Sequence, residues 1–182
     1  MSTRTDAGEV CTRSIRLMAD GSLADLAEVV HPDARNHEDV DEPPAARGRG
    51  PAAIHATALW LRAAYADLHW EIHEVVHQPA PDGDLVVVHA TMSGRHVGTF
   101  VAYGPDARPT QAFPPTGRSF AVTQSHWFRM RDGLVVEHWA NRDDLGQAMQ
   151  LGWTPPSPLY LAKMLVATWR ARRQADRRRR SG

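Results

Sequence analysis

The sequence predicts an α+β fold, with helices first, antiparallel strands after them, and the helices on one sheet face. Apolar residues recur at helical spacing up to Tyr65, then from Leu68 they occupy alternate positions. Breaker pairs such as Ser93-Gly94 and Asp132-Gly133 cut the second half into strand-length pieces. With 182 residues, 42% of them hydrophobic and 23% charged, the chain suits one packed domain rather than a disordered or disulfide-dense one.

Val10, Ile15, Leu17 and Met18 fall on one helical face. Asp20-Gly21 interrupts it, and Leu23, Leu26, Ala27 and Val30 resume it behind Ser22, a favoured N-cap, with an end near Pro32. Residues 38–51 mix acids, prolines and glycines and read as a loop. Ile54, Ala58, Leu61 and Tyr65 mark the next helix. Leu68, Trp70 and Ile72 then alternate with His69, Glu71 and His73, the period of a half-buried strand. Residues 85–92 read as a strand, 95–101 as its partner after a Ser93-Gly94 turn, and 119–130 as a long strand after a proline-rich loop. Asp132-Gly133 closes a two-residue hairpin into 134–141. Residues 144–151 form a short helix closed by Gly152.

Residues 1–152 are therefore one domain, and 153–182 a stiff linker (WTPPSP) followed by a basic amphipathic helix. Residues 163–182 hold eight basic side chains against Asp176, which leaves 13 basic and 20 acidic residues before them. An acidic body argues against nucleic-acid binding. The tail's apolar stripe, Leu159, Ala162, Val166 and Trp169 flanked by Leu165, needs a cover. Packing within a homodimer or higher homo-oligomer is expected, and the Arg-rich end suits an acidic carrier protein. The longest apolar stretch, 159–169, is shorter than the ~20 residues of a membrane span. With no secretory apolar run in the first ten residues and a single cysteine, Cys11, a cytoplasmic location is expected.

Ten histidines invite a metal reading, but His69, His73 and His77 stand on a strand, where four residues span roughly 13 Å. No zinc motif, phosphate-cradling glycine loop or Gly-x-Ser-x-Gly elbow occurs, so no metal and no cofactor are expected. The informative segment is 137–146. Regular strand geometry puts Glu137, Trp139, Asn141 and Asp143 on one face. A two-residue turn pairs His126 with Trp139 and Phe128 with Glu137, which adds His126 and Phe128 to that face and sends Trp127 and His138 to the other. Asp143 also precedes a helix, where an aspartate is a favoured cap, so position alone leaves pocket acid and cap both open.

Four motifs in order, Asn36-His37, Gly94-Arg95-His96-x-Gly98-x-Phe100, Pro115-Thr116-Gly117, and Trp139-x-x-x-Asp143-x-Leu145-Gly146 with Gln150-Leu151-Gly152, give a combination that resembles the SnoaL-like polyketide cyclases, or ester cyclases. These belong to the nuclear transport factor 2-like, ketosteroid-isomerase-like superfamily, and the resemblance covers about residues 8–152. It implies a cone-shaped α+β barrel whose curved antiparallel sheet is closed by N-terminal helices around a deep cavity. It implies a cofactor-independent, aldol-type ring closure of a hydrophobic, polyketide-like small molecule, with the aspartate matching Asp143 as acid/base. Candidate substrate contacts are then His96, His37, Asn36, Trp139, His126, Phe100 and Phe128. The chain departs from the pattern at Arg95, at His89, in the loop 103–114 and in its basic tail. Those departures keep open other chemistries of the fold: epoxide opening, dehydration, isomerisation, or binding without catalysis. An epoxide-opening member would want an arginine bridging two acids.

Overall fold

A computed structural model describes residues 6–181. Helix α1 (Ala7–Asp20) starts at Asp6, whose carboxylate accepts the Gly8 N–H at 3.1 Å, and α2 (Leu23–Ala27) is opened by a reciprocal Ser22/Asp25 capping box. The chain then turns into strand β1 (Val30–Asn36) rather than ending a helix near Pro32. Proline is tolerated there because β1 lies at the sheet edge and need not donate at every position. Two short 3₁₀ turns (Asp39–Asp41, Pro44–Arg47) lead into α3 (Gly50–Ala64).

Strands β2 (Tyr65–Gln78), β3 (Asp84–His96), β6 (Ser119–Arg131) and β7 (Leu134–Arg142) form, with β1, a five-stranded sheet in the order β1-β7-β6-β3-β2. The sheet is curved and mixed: all its pairs are antiparallel except β1 with β7, which run parallel. A purely antiparallel sheet was expected, and the parallel pair arises because β1 returns from the helices to the far edge. Gly94 does not turn the chain, and residues 95–101 are not the partner of 85–92. Instead β3 pairs unbroken with β6 from Asp84 to Arg95. Gly94 is small for another reason: a Cβ there would stand 3.2 Å from Phe120 and 3.3 Å from the Ala66 carbonyl, where the strands crowd. The short pair β4 (Phe100–Tyr103) and β5 (Pro109–Phe113) forms a separate hairpin: β4 begins at the end of the segment read as a strand over 95–101, and β5 lies inside the stretch 103–114 read as a loop.

The Asp132-Gly133 turn is as expected, with φ of 53° and 78° at the two residues. Its register is not. Met130 pairs with Val135 but Arg129 with Glu137, so Val136 is an extra residue bulged out of β7. Beyond the bulge every β7 side chain changes face, because the period of a strand is two. His126 therefore pairs with Ala140, Trp127 with Trp139 and Phe128 with His138.

The core between α1, α3 and the sheet includes Ile15, Trp70, Val88, Met92, Phe120 and Phe128. Helix α4 (Asp144–Leu151) ends at Gly152 with φ 72°. Helix α5 (Pro158–Ser181) lies on the β4–β5 hairpin: Thr168 accepts the Ala112 N–H at 2.9 Å, Arg172 donates to the carbonyls of Pro109 and Thr110, and Met164 is buried. The expected stripe faces the other way, with Leu159 69%, Leu165 65% and Trp169 54% exposed. No helix among the described residues is long and apolar enough to cross a membrane.

Candidate active site

Helices α1 and α3 and the inner face of the sheet enclose a cavity of about 320 Å³, within the range of small-molecule sites. Most of its wall is apolar, including Met18, Ile54, Trp60, Phe100, Phe128 and Trp153. Across one side runs an unbroken line of polar side chains on β6, β7 and β1. Gln124 Oε1 lies 3.0 Å from His126 Nε2, His126 Nδ1 lies 2.9 Å from His138 Nε2, and His138 Nδ1 lies 2.9 Å from Asn36 Oδ1. Asn36 Nδ2 then approaches the two oxygens of Glu42 at 3.4 and 3.5 Å, and the Thr57 hydroxyl donates to Glu42 at 2.5 Å. At the other end Trp70 Nε1 donates to Gln124 Oε1 at 3.2 Å.

Each member is set by strand geometry. Gln124, His126 and Phe128 alternate inward on β6, and the Val136 bulge brings His138, Ala140 and Arg142 to the same face. Parallel pairing of Asn36 with His138 completes the line from the sheet edge. Burial lowers the His126 pKa to about 4, with Arg142 adding to the effect, and it lowers His138 well below the usual imidazole value, helped by His126, Arg142 and His37. Both rings are neutral at neutral pH. At the more exposed end of β7, Arg142 sits 3.4 Å from Asp144 and 3.9 Å from Glu38.

Of the residues singled out in the sequence, Asn36, His126, Phe100 and Phe128 line the cavity. Trp139 does not: the bulge turns it to the outer face, where it stacks flat on His37 at 4.6 Å. His37 is thus outside the lining as well, with Nε2 3.9 Å from Glu137. His96 is fully buried behind the wall, edge-on to Trp153 at 5.2 Å. Its Nδ1 accepts the Thr116 N–H at 3.2 Å, and burial lowers its pKa to about 4. Asp143 lies exposed outside the lining, its carboxylate accepting the Gly146 N–H at 2.8 Å as the cap of α4, and the adjacent Asp144 borders the cavity instead.

Sequence reasoning missed His138, Gln124 and Glu42. His138 was assigned to the wrong face by an unbulged register. Gln124 carried a usable signal, two residues before His126 on the same strand phase. Glu42 sits in a segment without periodicity, and only its 2% exposure in the fold marks it. No group of three or more histidine, cysteine or acidic residues among those described could hold a metal ion.

The sequence model of the family described as SnoaL-like polyketide cyclase matches residues 9–151. The aklanonic acid methyl ester cyclase DnrD of Streptomyces peucetius is 31% identical over 158 residues, covering 87% of this chain and 97% of that protein. The nogalonic acid methyl ester cyclase of Streptomyces nogalater is 30% identical over 132 residues, covering 72% and 87%. Among solved structures, TsrD from Streptomyces laurentii aligns with a TM-score of 0.61 at 26% identity, covering 79% of this chain and 92% of that one. Wild-type IdmH from Streptomyces antibioticus gives 0.58 at 26% identity, covering 81% and 99%. A helix-closed sheet around an apolar cavity, matched in sequence along nearly the whole of that body, places this chain in the SnoaL-like polyketide cyclase family.

Proposed function

We propose that the protein closes a carbocyclic ring in a polyketide methyl ester of the kind named for its relatives, by an intramolecular aldol reaction without a cofactor. The observation that carries this reading is the polar line on one wall of an otherwise apolar cavity. An ester carbonyl acidifies the C–H beside it. Ring closure removes that proton, joins the carbanion to a ketone of the same molecule and protonates the resulting alkoxide. Apolar walls fold the flexible chain into a reactive conformation and exclude water, which strengthens every polar contact inside.

Proton transfer in this reading falls to the cavity wall, and Asp143 serves as the cap of α4. Incubation with aklanonic acid methyl ester and nogalonic acid methyl ester is expected to give a ring-closed isomer of unchanged mass, followed by mass spectrometry and NMR. No isomer above the uncatalysed rate for either ester would refute the cyclase reading. Asp143→Asn is expected to keep turnover within threefold, since the amide oxygen still caps the helix. Abolished turnover at an unchanged melting temperature would return the acid/base role to Asp143.

A second reading is favoured by the placement of Arg142 between Glu38 and Asp144, the arrangement wanted for water activation in epoxide opening. The 66% exposure of the Asp144 side chain weighs against it, because a water-activating acid works from a desolvated site. Diol formation from a hydrophobic epoxide would support it.

A further inference from the structure

The polar line spends its hydrogen bonds along the wall rather than into the cavity. All four ring nitrogens of His126 and His138 are engaged, with Gln124, with each other and with Asn36. The amide nitrogens at its ends are occupied as well, Gln124 Nε2 by Met92 Sδ at 3.2 Å and Asn36 Nδ2 by Glu42. An oxygen buried without a donor is costly, so the oxygens of a bound molecule need donors from another part of the cavity. Ser14 and Trp60 already donate to the carbonyls of Cys11 and Val101, and Trp153 Nε1 is sealed inside the wall. Arg35 and Gln111 are exposed at the rim. The unspent donors that remain meet at the first turn of α4.

Arg142, Tyr65 and Gln147 all line the cavity there. Arg142 Nε stands 3.4 Å from Asp144 and Nη2 3.9 Å from Glu38, near enough for attraction between charges. Among the described residues, none of its N–H groups makes an aligned hydrogen bond. Gln147 follows Asp144 by three residues, so it shares that face of α4, and its Nε2 lies 3.2 Å from the Tyr65 hydroxyl. This contact uses one of the three hydrogens that amide and hydroxyl carry between them, whichever way round the amide lies. Tyr65 is only 3% exposed, which places its hydroxyl within the wall rather than at the rim.

Resting on the cyclase reading, we propose that Arg142 and the Tyr65–Gln147 pair form the oxyanion site of the ring closure, taking the substrate carbonyl oxygen that turns negative when the neighbouring C–H is deprotonated. The C–H electron pair passes to that oxygen as the enolate forms, and returns to carbon as the new C–C bond closes. Arg142, Tyr65 and Gln147 hold the oxygen by N–H and O–H donation throughout. They make and break no covalent bond, so the substrate is isomerised with the same atoms and protons as without them. A guanidinium donor gives a hydrogen bond roughly twice as strong as a neutral one, and the contact tightens as charge develops on the oxygen.

The test uses the full chain and follows quenching of tryptophan fluorescence, since Trp60 and Trp153 line the cavity. Two planar probes suit its aromatic wall: 9,10-anthraquinone carries two carbonyl oxygens, and anthracene carries none. Arg142→Leu and Tyr65→Phe, the second of which removes only a hydroxyl, are each expected to weaken the quinone about tenfold without weakening the hydrocarbon. Equal losses for both probes, no loss, or no binding of the quinone by the wild type overturns the proposal. On aklanonic acid methyl ester, Arg142→Leu is expected to lose about 10²–10³-fold in kcat, more than it raises KM. If the wild type closes the ring and both folded variants stay within threefold in kcat, the proposal falls and the cyclase reading stands. If the wild type closes no ring, the cyclase reading fails, and the two probes still decide whether the donors beside α4 hold a carbonyl oxygen.

Discussion

The polar line on β6 and β7 and the aromatic cluster around His96 both bury imidazole, yet they treat it in opposite ways. His126 and His138 have every ring nitrogen engaged and stand on the cavity wall. His96 has Nδ1 satisfied by Thr116, while its Nε2, like Trp153 Nε1, meets no hydrogen-bond partner among the described residues. Around it Tyr65, Phe100, Phe113 and Trp153 pack ring on ring at centroid distances of 4.2 to 6.3 Å. The second nitrogen makes the difference. A ring with polar partners at both ends is held as one member of a hydrogen-bonded line, and a ring packed among apolar faces is a wall.

Trp153→Ala should break the wall most severely. Removing a ring stacked on Phe113 is expected to cost about 3–5 kcal/mol of stability, measured by urea unfolding, and a loss under about 1 kcal/mol would show that the cluster is not packed. Acid should sharpen the contrast next. An unfolded histidine titrates near 6.5, whereas His96 and His126 titrate near 4 in the fold and His138 well below its usual value. Between those pH values the unfolded chain binds more protons, so stability is complete above about pH 6.5 and falls as pH drops toward 4. His96→Asn should remove up to about 1.4 kcal/mol per pH unit from that slope while leaving kcat within threefold. An unchanged slope would sink the assignment of His96 as a buried neutral ring.

The smallest effect is expected outside both regions, on α5. Leu165→Ser with Trp169→Ser alters only the outward stripe and should change monomer stability by no more than about 0.5 kcal/mol. The same pair should shrink any homo-oligomer seen by sedimentation. An unchanged assembly size would exclude the stripe as a contact between copies.

How far the sequence could be read depended on whether a feature was periodic. The helices α1 and α3, the long strand β6 and the Asp132-Gly133 hairpin were all visible, because each follows one period or one turn rule. One bulged residue, Val136, was invisible, since nothing in Leu134-Val135-Val136-Glu137 distinguishes three paired residues from two. That residue exchanged His138 for Trp139 at the cavity. Strand β1 was hidden by its own composition, as Val30-His31-Pro32-Asp33 shows no alternation and its ladder among the described residues is a parallel one to β7, far along the chain. Asp143 was a fair candidate by position, and the choice between pocket and cap depended on where β7 ends, which no local pattern reports.

The parallel pairing of β1 with β7 also bears on how the molecule assembles. Hairpins such as β2–β3 and β6–β7 join neighbours in the chain and can form early, while the His138–Asn36 contact joins residues 102 positions apart. Loop-closure entropy makes such a contact expensive until the intervening chain is already compact, so the polar line is completed at the end of folding. A chain stalled before that closure would hold most of its strands and a collapsed apolar interior, yet its two imidazoles would lack one of their clamping amides. Completion of the polar wall of the cavity is thereby tied to the final long-range closure, and during refolding the Asn36–His138 contact should form after the sheet structure has recovered.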